Sequence, residues 1–217
     1  MIIKILKILM AALAVFVGTY PLRYFFVDRN FGLLQLKAEA VLMDPFWNIG
    51  FYSHIIPGGI ALLIGWIQFS ERIRTKRLKL HRMIGTVYVS AALISSLAGI
   101  YIACYATGGI IATSGFMCLG LFWFYSTYKG YSSIRNKNIN AHKEMMIYSY
   151  AACLAAVTLR IYLPLLSFSF GDFTKAYLLV AWISWIPNLV VAFYINKRRK
   201  AAAHITMQNN SYLTTMQ

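Results

Sequence analysis

His54, His81, His142 and Arg160 are the residues of this chain best equipped for chemistry, because each falls within or at the edge of a long apolar segment. Ionisable groups in such segments are costly in lipid and face the bundle interior or a cavity. Residues three or four apart share a helix face, so each group can be read with its neighbours. One face reads His54, Gly58, Ala61, Gly65 and Gln68; a second reads His81, Gly85, Tyr88, Ala92, Ser95 and Gly99. A third reads His142, Met146, Ser149, Cys153, Ala156 and Arg160, with His142 and Arg160 about five turns and roughly 27 Å apart. If the three faces meet, two polar clusters follow at different depths. His81 and His142, with Gln68 nearby, form an inner cluster whose imidazoles are candidate axial ligands for a b-type haem. Gly85 would leave room there for a flat macrocycle. His54 with Arg160 forms an outer cluster able to hold a carbonyl or anionic group, and Gln68 closes the same face.

The elements that must position these residues follow from composition. Hydrophobic residues make up 59% of the 217 and charged residues only 12%, against about 25% charged in a soluble domain. A helix needs about 20 mostly apolar residues to cross the hydrocarbon layer, and six segments qualify, at about 5–26, 49–69, 84–105, 110–128, 145–166 and 177–195. No stretch alternates with period two over strand length, and unpaired backbone cannot face lipid. The expected fold is therefore all-α, an integral membrane bundle of about six transmembrane helices. It takes residues 1–200 as one helical domain and 201–217 as a polar, disordered cytoplasmic tail. Lys4 and Lys7 before an apolar run, with Ala12-Leu13-Ala14, have the look of a secretory signal. The apolar character continues through Phe26, so the segment is read as a retained helix.

Basic residues set the orientation. The N-terminus, the run Arg72–Arg82, the loop from Lys129 to Lys143 and the tail Lys197–Lys200 carry most of the Lys and Arg, whereas Arg29, Lys37 and Lys175 fall on the other side. The positive-inside rule then puts both termini in the cytoplasm. Phe31 to Met43 reads as a short interfacial helix stopped by Asp44-Pro45. Trp47, Tyr52, Trp123, Tyr125, Tyr128 and Trp185 read as an aromatic belt at the membrane boundaries. Cys104, Cys118 and Cys153 have no paired spacing and read as small apolar residues.

Three pieces of the sequence are familiar in this order. The first is His54, Gly58-Gly59-Ile60 and Gly65-Trp66-Ile67-Gln68-Phe69. The second is Leu80-His81-Arg82-Met83-Ile84-Gly85-Thr86-Val87-Tyr88. The third is Ala141-His142-Lys143-Glu144-Met145-Met146 followed by Thr158-Leu159-Arg160. Over roughly residues 50 to 165 the chain resembles the bacterial membrane family catalogued as domain of unknown function 2306. The family more often has Arg where Lys143 stands and Trp where Met145 stands. The resemblance implies a multi-pass protein of the bacterial inner membrane and brings no activity with it. In one respect the chain is also similar to the transmembrane di-haem cytochromes b that accept electrons from ascorbate, which hold haem between histidines on antiparallel helices. Those proteins use four haem histidines, whereas no histidine here lies in the fourth segment to partner His54, so at most one bis-histidine haem is implied.

Three readings stay open on the sequence. One is a haem-binding electron-transfer or haem-handling protein using His81 and His142. Another is a protein that binds or transports a quinone, lipid or other small molecule at His54 and Arg160. In the third the polar groups are structural and the protein is a non-catalytic membrane assembly partner: His81 and His142 bind lipid phosphate or cap loops, Arg160 snorkels outward, and His54 only packs. Nucleic acid is excluded as a partner because the net charge of +15 sits in short loops between apolar segments. No Gly-rich phosphate loop, H-E-x-x-H or G-x-S-x-G motif is present. The six carboxylates lie outside mid-membrane positions, so the chain leans away from an enzyme with paired carboxylates.

Overall fold

Backbone amides that cannot reach water must bond to one another, and in a chain this apolar the helix satisfies them within each segment. The computed structural model describes the backbone of residues 2–26 and 32–215 and, within these, the side chains of 8–26, 33–35 and 37–202. Among the described residues there is no strand. Among the same residues six helical spans are long and apolar enough to cross a membrane: Ile8–Phe26, Pro45–Phe69, Leu78–Ala103, Gly109–Arg135, Ile139–Phe170 and Phe173–Ala202. Outward side chains are large and apolar, with Phe168 and Ile110 exposed by 92% and 79%, as lipid-facing surfaces require.

Polar caps fix where the spans begin. The Asp44 carboxylate accepts from the Phe46 amide at 2.8 Å, with Pro45 in the first helical position. Asn138 Oδ1 accepts from Ala141 N at 3.0 Å, and Asp172 Oδ1 from Lys175 N at 3.1 Å. Each satisfies an amide that has no partner within its helix. Tight connections follow: Gly108 and Gly109 take φ of 99° and 65° between the third and fourth spans, and Gly171 takes 60° before the sixth. The third and fifth spans start earlier than their apolar runs suggest, at Leu78 and Ile139. His81 and His142 therefore lie one turn inside helices rather than in loops.

The second span packs mainly on the third, the third on the fourth, and the fourth on the fifth; the first lies along the second. Ala14 and Val17 of the first span are buried, and the Gly18 carbonyl sits only 2.6 Å from where a Cβ on Gly59 would lie. The two helices thus meet backbone to backbone, as small residues allow. Two spans are interrupted. The fifth breaks between Cys153 and Ala155, and the sixth between Ile183 and Ile186, where Pro187 supplies no amide for the carbonyl four residues back. The breaks are tied together: the Thr158 hydroxyl donates to the Ser184 carbonyl, and Asn188 Nδ2 donates to the same carbonyl at 3.1 Å.

One expectation changes in detail. The segment before Asp44 is a 3-10 turn, Gly32–Leu36, followed by a short helix, Glu39–Met43, not one continuous interfacial helix. Its interruption falls at Lys37, whose ammonium is drawn to the Tyr105 carbonyl and to Thr107 Oγ1; Phe31 lies outside the described residues. The last helix is described to Thr215.

Candidate functional site

The stripes read on three spans turn inward. His54 Nδ1 lies 2.9 Å from the Ser95 carbonyl, and Ser95 Oγ donates to the His54 carbonyl at 2.7 Å. A carbonyl only accepts, so the imidazole proton sits on Nδ1 and Nε2 keeps its lone pair. The ring rests against Gly99, where a Cβ would come within 2.9 Å of Nδ1. Arg160 does not snorkel. Its Nη1 donates to the Ala156 carbonyl at 2.9 Å, one turn back towards mid-membrane, and its guanidinium lies 4.5 Å from the centre of the Tyr20 ring. That stacking is a cation–π contact between the first and fifth spans.

His54 and Arg160 line one cavity of about 260 Å³ at the end opposite the Arg72–Arg82 loop. Gly58, Gly59, Gly99 and Gly120 open its walls, and Lys37 stands among the lining residues at that end. Burial draws the Lys37 ammonium below the usual lysine range, as happens when a cation loses water without gaining a carboxylate. Among the described residues no Asp or Glu lines the cavity. Among the described residues the ion pairs are Lys175–Asp172 and Lys200–Glu144, both away from it. The cavity therefore offers two cations, one imidazole lone pair and apolar walls.

Below it, a chain of hydroxyls crosses the bundle core. Tyr88 and Ser149 are 2.8 Å apart, Ser149 and Thr127 are 2.7 Å apart, and Thr127 donates to the Trp123 carbonyl at 2.7 Å. Since that carbonyl takes the Thr127 proton, Thr127 accepts from Ser149 and Ser149 from Tyr88. The run is a closed polar knot holding the third, fourth and fifth spans together, all of it buried.

At the basic end, His142 Nδ1 donates to the Gly130 carbonyl at 2.9 Å, which leaves Nε2 open. The His81 ring lies within electrostatic reach of His142. His81 Nδ1 and Gln68 Nε2 are buried with no hydrogen-bond partner among the described residues. The flank of Gly85, expected to admit a macrocycle, is taken by the Gln68 carboxamide: a Cβ there would lie 3.4 Å from Gln68 Oε1. Among the described residues no group of three metal-ligating side chains converges.

The structure thus brings His54 to Arg160, and His81 to His142, Gln68 and Gly85. Sequence reasoning missed Lys37, Tyr20 and the hydroxyl knot. A lysine close behind Leu33 and Leu34 was the available signal for the first. It also misplaced two aromatics. Trp47 is 2% exposed and stacks on Phe51 with ring centres 5.1 Å apart, and Trp123 is 6% exposed beside the knot. Both are core residues, because the segment Gly32–Met43 folds over the first and the kinked fifth span covers the second. Tyr125 and Tyr128 do face outward.

Comparison with known proteins gives a family but no site. Residues 51–196 match the model of the family described as "Predicted membrane protein (DUF2306)". The match covers more than half of the chain and runs past residue 165 into the sixth span. The chain belongs to that family. No curated protein and no solved structure matches it.

Proposed function

We propose that this member of the family binds a small apolar molecule bearing a carbonyl or anionic oxygen head, the chemistry shared by quinones and single-chain acids, in the cavity lined by His54 and Arg160. The observation that carries this reading is the cavity's charge. Arg160 and Lys37 line it, and no carboxylate of the described residues lines it with them; a buried cation calls for an anion or a strong acceptor. The Arg160 guanidinium donates to the oxygen head, whereas the His54 Nε2 lone pair can accept only from a hydroxyl-bearing form of it, such as a reduced quinone or a protonated acid. Ligand pockets commonly span roughly 300–1,000 Å³, and about 260 Å³ suits a ring-sized head with its tail in lipid. The role is binding or transport across the layer rather than a chemical conversion.

Haem between His81 and His142 is the second reading. The tautomer that Gly130 imposes on His142 favours it, since axial imidazoles donate their other nitrogen to a carbonyl. Gln68 against Gly85 counts against it.

The test is a solvent extract of protein purified in mild detergent, read by mass spectrometry. Wild type is expected to carry a quinone or acid near one per chain, and Arg160→Leu to lose it. Equal recovery from both overturns the reading. A Soret band in the same wild-type preparation that His81→Ala abolishes would give precedence to haem.

A further inference from the structure

A second site, separate from the cavity, is built at the basic end. Gln68 lies in the last turn of the second span, Trp66–Phe69, and His81 one turn into the third. Their Nε2 and Nδ1 atoms are buried without a partner, although both residues keep some exposure, so a small side-chain rotation presents them to the boundary. Arg74, on the short helix Glu71–Lys76, and Arg82 both lie within electrostatic reach of the His81 ring. His142 completes the group from the fifth span, its Nδ1–H already given to Gly130. Of the carboxylates at this end, Glu144 is tied to Lys200 at 2.7 Å, and Glu71 opens the short helix.

We propose that Gln68, His81, Arg74 and Arg82 bind the phosphate group of an anionic phospholipid from the leaflet at the basic end. An amide N–H, an imidazole N–H and two guanidinium groups are all donors, and a phosphate has enough acceptor oxygens for them. The depth agrees: these residues bracket the ends of two spans, where lipid phosphates lie. The headgroup would also satisfy two buried polar atoms that no described residue satisfies, and burying such atoms unpaired is costly. The surplus of basic residues around the group favours a negatively charged lipid over a zwitterionic one.

Native mass spectrometry of the full chain, titrated in separate arms with phosphatidylglycerol, phosphatidylcholine and inorganic phosphate, tests this. Wild type is expected to retain phosphatidylglycerol over phosphatidylcholine by about five-fold or more, the order that one well-placed basic residue near a membrane surface supplies. The double variant Arg74→Gln with Arg82→Gln should bring that ratio close to one. Gln68→Glu, which keeps the shape and adds a repelling charge, should do the same in a protein whose thermal midpoint is unchanged. Lys79→Ala, an exposed neighbour, should leave the preference intact. Equal retention of the two lipids by wild type, or an undiminished preference in Gln68→Glu, overturns the site. Inorganic phosphate displacing the lipid at micromolar concentration would overturn its assignment to a lipid headgroup.

Discussion

Arg160→Leu will weaken binding of a short-chain ubiquinone or of decanoate by ten-fold or more, with the thermal midpoint of the protein little changed. The guanidinium is the one charged group of the cavity that comes from a span, and a hydrogen bond to a charged group is worth about 1.5–3 kcal/mol, with roughly 1.4 kcal/mol per decade of affinity. Its tie to the Ala156 carbonyl and its contact with Tyr20 hold it towards mid-membrane before any ligand arrives, so little ordering is needed on binding. Arg160→Lys should fall between the two, because lysine keeps the charge but loses the planar fork and the stacking. The two probes divide the ligand class: stronger binding of decanoate points to an acid, stronger binding of the quinone to a carbonyl head. Titration by tryptophan fluorescence reads the affinities, with Trp123 and Trp47 both lining the cavity. Unchanged affinity for both probes in Arg160→Leu would remove the guanidinium from the site.

Gly59→Leu will lower the stability of the bundle by about 1–3 kcal/mol, the usual cost of forcing extra carbon into a packed interior. The obstacle is backbone. A Cβ at Gly59 would lie 2.6 Å from the Gly18 carbonyl oxygen and 3.1 Å from Pro21 Cγ, and neither can swing aside as a side-chain end can. The first span must move away from the second, and Tyr20 moves with it, off the Arg160 guanidinium. Loss of stability and loss of probe binding should therefore appear together in this variant. Ile94→Ala, at a lipid-facing position 52% exposed, should affect neither. Unfolding in detergent, followed by circular dichroism against temperature, checks the first part. A Gly59→Leu protein as stable as wild type would mean that the first span does not rest on the second as described.

Much of this arrangement was legible in the residues because lipid as solvent leaves few alternatives. Six apolar runs mark six helices, and the period of 3.6 turns His54, Gly58, Ala61, Gly65 and Gln68 to one side of the second span. Small and polar residues on that side avoid lipid, so the inward direction follows. What remained hidden depends on where elements meet. Lys37 reads as an ordinary cation outside the spans, and only the fold of Gly32–Met43 over the second and third spans carries it to the cavity. Ser149 and Thr127 are single hydroxyls on long helices, a type that usually bonds its own backbone. Their pairing with Tyr88 exists only because three helices cross at that level. Pro187 was a visible signal for the break in the sixth span, masked by the apolar residues on either side. Gly85 shows the opposite error: a missing side chain was read as room for a ligand, whereas the chain's own Gln68 fills it.

A cryo-electron microscopy map of the wild-type protein in lipid nanodiscs tests the central claim most directly. The map should show a bounded non-protein feature in the cavity, its polar end within hydrogen-bonding distance of the Arg160 guanidinium. Arg160 turned to the headgroup layer, or paired with a carboxylate of the chain itself across a cavity closed by side chains, would contradict it.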